Sequence, residues 1–580
     1  MRLRGKECFL RLSFLSPFVI ACIALFFSAF YFHPNMGGEG LFIPLNSIVW
    51  IATAFVILLA VWRMWQQQTI RMPAFFGLIL AMPMLILLTG FIVGMEQPLS
   101  WMLRISAILL GFLLFFGLFQ FKTSRRDVNS CLYVLCGALS LHAVVGVIQL
   151  LPGALLSNFI PNVYDPISIG MFQQPNVQAS LMATAIALSV YLISSPDFRG
   201  RPVWVKSLPL ICLLLSTFAL MSSDSRVGLL GGSGALVLIL LSRFSLLKLR
   251  RGWALGMLLV LLAGGGSGLI INDGALRAYS KIEQLSGQGQ DIRKDVYRIS
   301  WEIIKDKPLL GHGIGSFQQV FHEKAAEYQL KTDGFNLGLW FSHPHNELLL
   351  WGIEGGAVGL LAFLFAIVAV LCQLICLGWQ RGGAMAALLL PIALHTQVEH
   401  PFYVSAYHWV MFLFLLFVVF NQSGSKVYPL RVSFAAGALI RGLSIMLMLV
   451  VLWFCTTSLY YSNRIVHMLY SDKAKLAELN AIQQHPYFSE VATRLLLAHF
   501  SEAEKLSKGT SVTLEYVEWL EVYIKHVPDI GVFIDLIRAY AYLGDSEKEQ
   551  ATIDRALYLY RGHPLILKTA KEVKEKYSVD

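Results

Sequence analysis

Charge is scarce in this chain. Only 14% of its 580 residues are Asp, Glu, Lys or Arg, against about 25% in soluble domains. With 56% hydrophobic residues and a mean hydropathy of +0.62, that shortage excludes a soluble globular protein. Short alternating apolar and polar segments are also missing. The apolar runs are helix-length, which excludes a membrane barrel and leaves an all-α polytopic transmembrane bundle. Cysteine is sparse and wrongly placed for a disulfide framework: nearly all eight lie inside apolar runs, and none in a long polar segment. Cys372 and Cys376 stand four apart on one helix face without His or Asp nearby, so they read as packing. Neither a metal nor another cofactor is expected.

What charge there is follows a pattern. A net charge of +10 would suggest nucleic acid in a soluble protein, but here much of the Lys and Arg lies between apolar runs. Nucleic acid is therefore not an expected partner; membrane lipid is. The basic stretch Met1–Lys6 with Arg11 precedes the run Phe14–Phe32, which reads as an uncleaved first span because His33-Pro-Asn, and no small-residue cleavage site, follows. At roughly 17–25 residues each, about 13 spans fit. They are expected near 14–32, 45–62, 73–95, 101–121, 128–151, 175–195, 204–222, 226–242, 253–272, 347–377, 384–398, 405–421 and 440–461.

Loop charges orient these spans. Arg63 and Arg71, Lys122 to Arg126, Arg199 to Lys206, Arg243 to Arg251, Arg381, and Lys426 with Arg431 fall in alternate gaps. The intervening short gaps 33–44, 96–100 and 399–404 carry no Lys or Arg; Arg226, in the tight turn Ser222–Arg226, is the exception. Basic loops stay in the cytoplasm. The N-terminus is thus expected inside and the C-terminus outside.

Four segments follow: an N-terminal transmembrane bundle over 1–272, a large outer loop over 273–346, further spans over 347–461, and a helical outer domain over 462–580. The loop is long enough to be functional. In the tail, Ile534–Pro564 resembles a tetratricopeptide repeat, with a Gly-Asp turn between two helices and a closing Pro. Such repeats present partner-binding surfaces; a small helical cap without a partner is the plainer reading.

The polar residues of unusual type gather at the outer ends of spans. Gln173-Gln-Pro-Asn-Val-Gln178 opens the sixth span, Asp224 and Arg226 form the turn between the seventh and eighth, and Glu399-His-Pro401 lies between the eleventh and twelfth. The large loop adds Arg298, the turn Pro308-Leu-Leu-Gly-His-Gly-Ile-Gly315, and Trp340-Phe-Ser-His-Pro-His-Asn-Glu-Leu-Leu-Leu-Trp351. Ionisable groups at a membrane boundary mark function by default. Arg grips phosphate oxygens in a planar fork, and His takes a proton from a hydroxyl. Each residue also has a structural alternative. Asn346 and the Gln174/Asn176 pair suit helix starts, Arg226 suits a pair with Asp224, Arg298 suits an exposed ion pair, and Glu399 suits a pair with His395 or His400. Glycines 311, 313 and 315 suit either a ligand approach or a tight turn.

Together these motifs resemble the bacterial O-antigen ligases and protein O-oligosaccharyltransferases. His343-Pro-His345-Asn-Glu-Leu-Leu running into Trp351-Gly-Ile-Glu-Gly-Gly356 is similar to their signature. Ser225-Arg226-Val-Gly228 resembles their Ser-Arg-x-Gly turn, and Arg298-x-x-Trp301 with Pro308-Leu-Leu-Gly resembles the elements before the His loop. Gln174-Pro-Asn176-x-Gln178, His395-Thr-Gln-Val-Glu399-His-Pro401 and the polar tail resemble the PglL-type protein-glycosylating branch. The departure is His400, where many relatives carry an aromatic before the Pro.

The resemblance implies metal-independent, inverting transfer of an oligosaccharide from undecaprenyl diphosphate to a Ser or Thr hydroxyl of a periplasmic, pilin-like protein. It implies His345 as general base and Arg226 and Arg298 as cations for the diphosphate. His343, Asn346, Gln174, Asn176, Gln178 and Glu399 would position substrate. O-antigen ligase, transferring to the lipid A core, shares the chemistry and differs in acceptor. A transporter would place ionisable groups near the bilayer midplane, where these spans have few.

Overall fold

The computed structural model describes residues 16–95, 97–151, 153, 156–162, 166–271, 276–277, 292–332, 338–470, 476–506 and 508–577. The basic N-terminal stretch lies outside them. The chain is nearly all helix, as its periodicity predicts. In order, the helices are α1 Pro17–Phe26, α2 Pro44–Gln67, α3 Phe76–Val93, α4 Pro98–Gln120, α5 Arg125–Ile148, α6 Pro175–Ser194, α7 Val203–Met221, α8 Arg226–Lys248 and α9 Arg251–Ile271. Next come α10 Ile292–Asp306, α11 Phe317–Lys331, α12 Glu347–Cys376, α13 Gly378–His395, α14 Ala406–Asn421 and α15 Phe434–Tyr470. The tail holds α16 Leu476–Gln483, α17 Ser489–Leu506, α18 Ser511–His526, α19 Ile530–Leu543, α20 Ser546–Leu559 and α21 Pro564–Tyr577.

Ten of the described helices are long and apolar enough to cross a membrane: α2 to α9, α12 and α15. Three expected spans take other forms. Those at 14–32 and 405–421 are the shorter apolar helices α1 and α14, and that at 384–398 is the 18-residue α13, which begins at Gly378 and carries Arg381. Among the described residues, β1 Thr69–Pro73 pairs antiparallel with β2 Ser425–Pro429.

Two compact units divide the chain. The first comprises Met1–Gly77, Leu109–Gln284 and Val368–Ser462; the second comprises Leu78–Ile108, Leu285–Ile367 and Asn463–Asp580. The helix starts follow local chemistry. Ser124 and Asp127 form a reciprocal capping box at α5, Ser225 caps α8 through the amide of Gly228, and Pro175 occupies the first turn of α6.

In the first unit α6 is the central helix, and its whole apolar window is buried. Small residues allow this. A Cβ on Gly228 would meet that of Ala179 at 2.4 Å, and one on Gly232 would lie 3.4 Å from that of Ala183, so α8 lies close along α6. α13 packs on both. Gln149, fully hydrogen-bonded, gathers the chain ahead of α6: its amide oxygen accepts from the amides of Ile169 and Gly170, and its nitrogen donates to the carbonyls of Pro161 and Gly170.

In the second unit α12 is broken at Gly356 (φ 56°, ψ −148°). The turn at 308–313 fills the break. The amides of His312 and Gly313 donate to the carbonyls of Ile353 and Glu354, while those of Ala357 and Val358 donate to the carbonyls of Pro308 and Leu309. The backbones meet so closely that a Cβ on either Gly311 or Gly356 would come within 2.6 Å of the other's segment. The glycines of this turn therefore serve backbone contact. Beneath it, the fully buried carboxylate of Glu354 binds the guanidinium of Arg104 from α4 and accepts from the amide of Phe317.

The tail helices pack in succession, and Ala326 of α11 shares a core with Phe533, Ile537, Ile553 and Tyr560. Gly544 ends α19 in the left-handed conformation and Asp545 caps α20, as the Gly-Asp turn predicts. The loop helix and the tail thus share a core within the second unit.

Candidate active site

In the second unit, the His cluster forms the approach to α12. Asn346 is its cap, its side-chain oxygen accepting from the amide of Leu349 at 2.9 Å. One residue earlier, His345 is held at φ 55°, a left-handed conformation unusual for a side chain of this size. Three contacts hold it there. Its amide donates to Nδ1 of His343 (3.2 Å), its carbonyl accepts from the hydroxyl of Tyr297 (3.2 Å), and the two imidazoles meet edge to face at 4.5 Å. Both residues are partly exposed, with Nδ1 of His345 itself buried. The following carboxylate, Glu347, accepts from the indole of the buried Trp351 at 2.9 Å and so belongs to the helix.

Arg298 is the helical neighbour of Tyr297 and projects elsewhere, since successive residues on a helix diverge by about 100°. Its guanidinium donates to the hydroxyl of Tyr328 at 2.8 Å, beside a groove of about 280 Å³ that Glu302, Lys324 and Lys331 also line. The Tyr328 bond pushes the Arg298 pKa up, and the bond to Asp306 does the same for Lys324. Arg298 and Lys324 thus stay charged.

In the first unit, Ser225 caps α8 and Arg226 is its first residue, half-buried, with no hydrogen bond or ion pair among the described residues. Asp224 pairs instead with Nε of Arg277, 2.9 Å away, which the sequence did not single out. A cation at the positive end of a helix favours an anion.

Gln174, Asn176 and Glu399 come together at the start of α6. Asn176 donates to Oε1 of Glu399, and Gln174 lies 3.4 Å from Oε2. His395 is the partner on the other side, its Nε2 at 3.2 Å from Oε2. Gln178 stands apart from this group. Wholly buried, it donates to the carbonyl of His142 and packs against Gly146 and Gly170, tying α6 to α5.

Sequence reasoning passed over Tyr297, Arg277, Arg104 and Glu354. A signal existed for the last two, each a lone charge inside an apolar run. For the others the contact is made only by folding.

With this geometry in view, three family models match the chain in order. A protein glycosylation ligase model covers residues 169–193, an O-antigen ligase model 211–364, and the C-terminal model of a virulence-factor membrane-bound polymerase 384–571. The first spans the Gln-Pro-Asn segment; the second spans Arg226, Arg298 and the His cluster. Over those residues the chain is similar to O-antigen ligases and protein glycosylation ligases, and ten of its described helices are long and apolar enough to cross a membrane. No curated protein matches it.

Proposed function

We propose that this protein moves a preassembled oligosaccharide from undecaprenyl diphosphate to Ser or Thr hydroxyls of a periplasmic, pilin-like protein at the outer face of the bacterial inner membrane. One observation carries the reading: His345 is kept in a left-handed backbone by Tyr297 and His343 at the start of α12, and the residue is partly exposed. Strain of this kind persists where the surrounding contacts enforce it, and it clusters at active sites.

In the reaction, His345 takes the proton of the acceptor hydroxyl. The oxygen attacks the sugar carbon bonded to the diphosphate, that carbon–oxygen bond breaks, and undecaprenyl diphosphate leaves as the anion. Arg226 binds the diphosphate, and its guanidinium is uncommitted to any described partner. Arg298 supplies further positive charge; His343 and Asn346 set the loop. Gln174, Asn176 and Glu399 offer amide and carboxylate groups suited to hydroxyls. Gln178 contributes by packing.

The test is glycan transfer by protein reconstituted with lipid-linked oligosaccharide. His345→Ala and Arg226→Ala should each insert normally and transfer nothing; near-normal transfer by either rejects the assignment. Arg298→Lys should fail if a forked phosphate contact matters. The long O-antigen ligase match also favours a second acceptor, the lipid A core. Mass analysis of pilins and of lipopolysaccharide from a glycosylation-deficient Gram-negative host separates the two.

A further inference from the structure

Behind Glu399 lies a buried line of side chains that nothing in the transfer reaction uses. Ser405 Oγ is 3.0 Å from Nδ1 of His408, whose Nε2 is 3.0 Å from the carbonyl of Val177 and 3.3 Å from Oγ of Ser180. Ser180 Oγ is 2.9 Å from Nδ1 of His395, and Nε2 of His395 is 3.2 Å from Oε2 of Glu399. Ser405, His408, Ser180 and His395 are all at most 1% exposed. Glu399 ends the line with 12% of its side chain exposed, beside the partly exposed Gln174 and Asn176.

The arrangement that leaves both imidazoles neutral runs in one direction. A carbonyl only accepts, so Nε2 of His408 carries its proton and Nδ1 accepts from Ser405. Ser180 can then accept from His408, its single proton lying between Nδ1 of His395 at 2.9 Å and the carbonyl of Val177 at 3.1 Å. Nε2 of His395 carries the remaining proton and donates to Glu399. Every group in the line has a partner, and the carboxylate at its end is oriented by the bond from His395. Three elements are fastened by it: α6 through Ser180, α13 through His395, and α14 through His408.

The open end has the chemistry of hydroxyl recognition. A carboxylate repels phosphate, whereas a carboxylate beside two carboxamides offers acceptors and donors to a sugar ring. The amide oxygen of Gln174 accepts no hydrogen bond among the described residues, an acceptor for which a hydroxyl donor is wanting. We propose that Glu399, with Gln174 and Asn176, binds hydroxyls of the sugar next to the diphosphate, and that His395 is the positioning residue that sets Glu399 through its own Nε2 hydrogen bond. The inference rests on the transferase reading and assigns a sugar subsite within it.

Two substitutions at one position test it. Gln places a donor where Nε2 stands, so His395→Gln keeps the bond to Glu399; Asn mimics Nδ1, so His395→Asn keeps only the bond to Ser180. Binding would be measured for the full chain in nanodiscs, with undecaprenyl-diphosphate N-acetylglucosamine and with bare undecaprenyl diphosphate as probes. His395→Asn and Glu399→Gln should bind the sugar-bearing lipid about tenfold more weakly, the bare lipid unchanged, while His395→Gln stays near wild type. The inference is overturned if His395→Asn behaves as wild type, if His395→Gln is the weaker of the pair, or if both probes weaken together, which is a packing effect. Wild-type protein that binds neither probe rejects the transferase reading itself, and this inference with it.

Discussion

The hydroxyl of Tyr297 donates to the carbonyl of His345 at 3.2 Å, and His345 is the residue held at φ 55°. A helix of the loop between α9 and α12 thus fixes the backbone that presents the imidazole. Tyr297→Phe removes that one bond and little else. Transfer should fall about two- to tenfold, matching a single hydrogen bond, with the protein's thermal midpoint nearly unchanged. The companion is His345→Asn. Asn tolerates the left-handed region, so this variant should fold like wild type and transfer no glycan, as scored by gel shift of the acceptor.

Gly311 and Gly356 are two glycines whose positive φ and backbone contact exclude a side chain. Gly356→Ala sets a methyl within 2.6 Å of main-chain atoms at positive φ, and Gly311→Ala does the same from the opposite side. Each should cost about 1–3 kcal/mol or more and lower the yield of monodisperse protein on size-exclusion chromatography. Gly252→Ala, with open space around its Cβ, is the control and should be neutral.

Arg104 and Glu354 form a pair in which the carboxylate is fully buried and the guanidinium about a fifth exposed. Glu354→Gln leaves the Arg without its counter-charge and should destabilise by about 3 kcal/mol, the low end for a broken buried pair. Arg104→Met combined with Glu354→Leu should recover most of that loss. A double-mutant cycle on thermal midpoints measures the coupling.

His322 of α11 lies between Phe321 and Tyr560, with burial pushing its pKa down to about 4 although the carbonyl of Phe341 acts to raise it. Unfolded, it would titrate near 6.5. Between those values the unfolded chain binds a proton the folded chain refuses, so stability rises with pH from about 4 to 6.5 and is lost on acidification through that window. At full effect this is about 3 kcal/mol. Hydrogen exchange of α11 and α19–α21 should quicken at pH 5 relative to pH 7.5, and His322→Gln should flatten the dependence.

Several features were legible in the chain itself. The cap at Asn346, the Gly-Asp turn at 544–545 and all ten long apolar helices follow from local chemistry and hydropathy, which act over a few residues. The Gln174, Asn176 and Glu399 residues were legible as unusual groups, but their meeting was not, for 223 positions separate Asn176 from Glu399. Spans 1, 11 and 12 were read by hydropathy alone; α1 and α14 prove shorter, and α13 starts ahead of its apolar stretch.

Bilayer hydrophobicity and short-range capping operate on neighbouring residues, so composition and spacing alone determined a helical membrane protein with a histidine pair opening a long apolar helix. Which acid met which base was another matter. That Asp224 takes Arg277, that Glu354 takes Arg104, that Gln178 turns inward to a carbonyl of α5, and that His395 joins Ser180 to Glu399 were decided only when distant helices packed. A buried polar group must find its partner wherever the tertiary fold brings one, and no local rule names it.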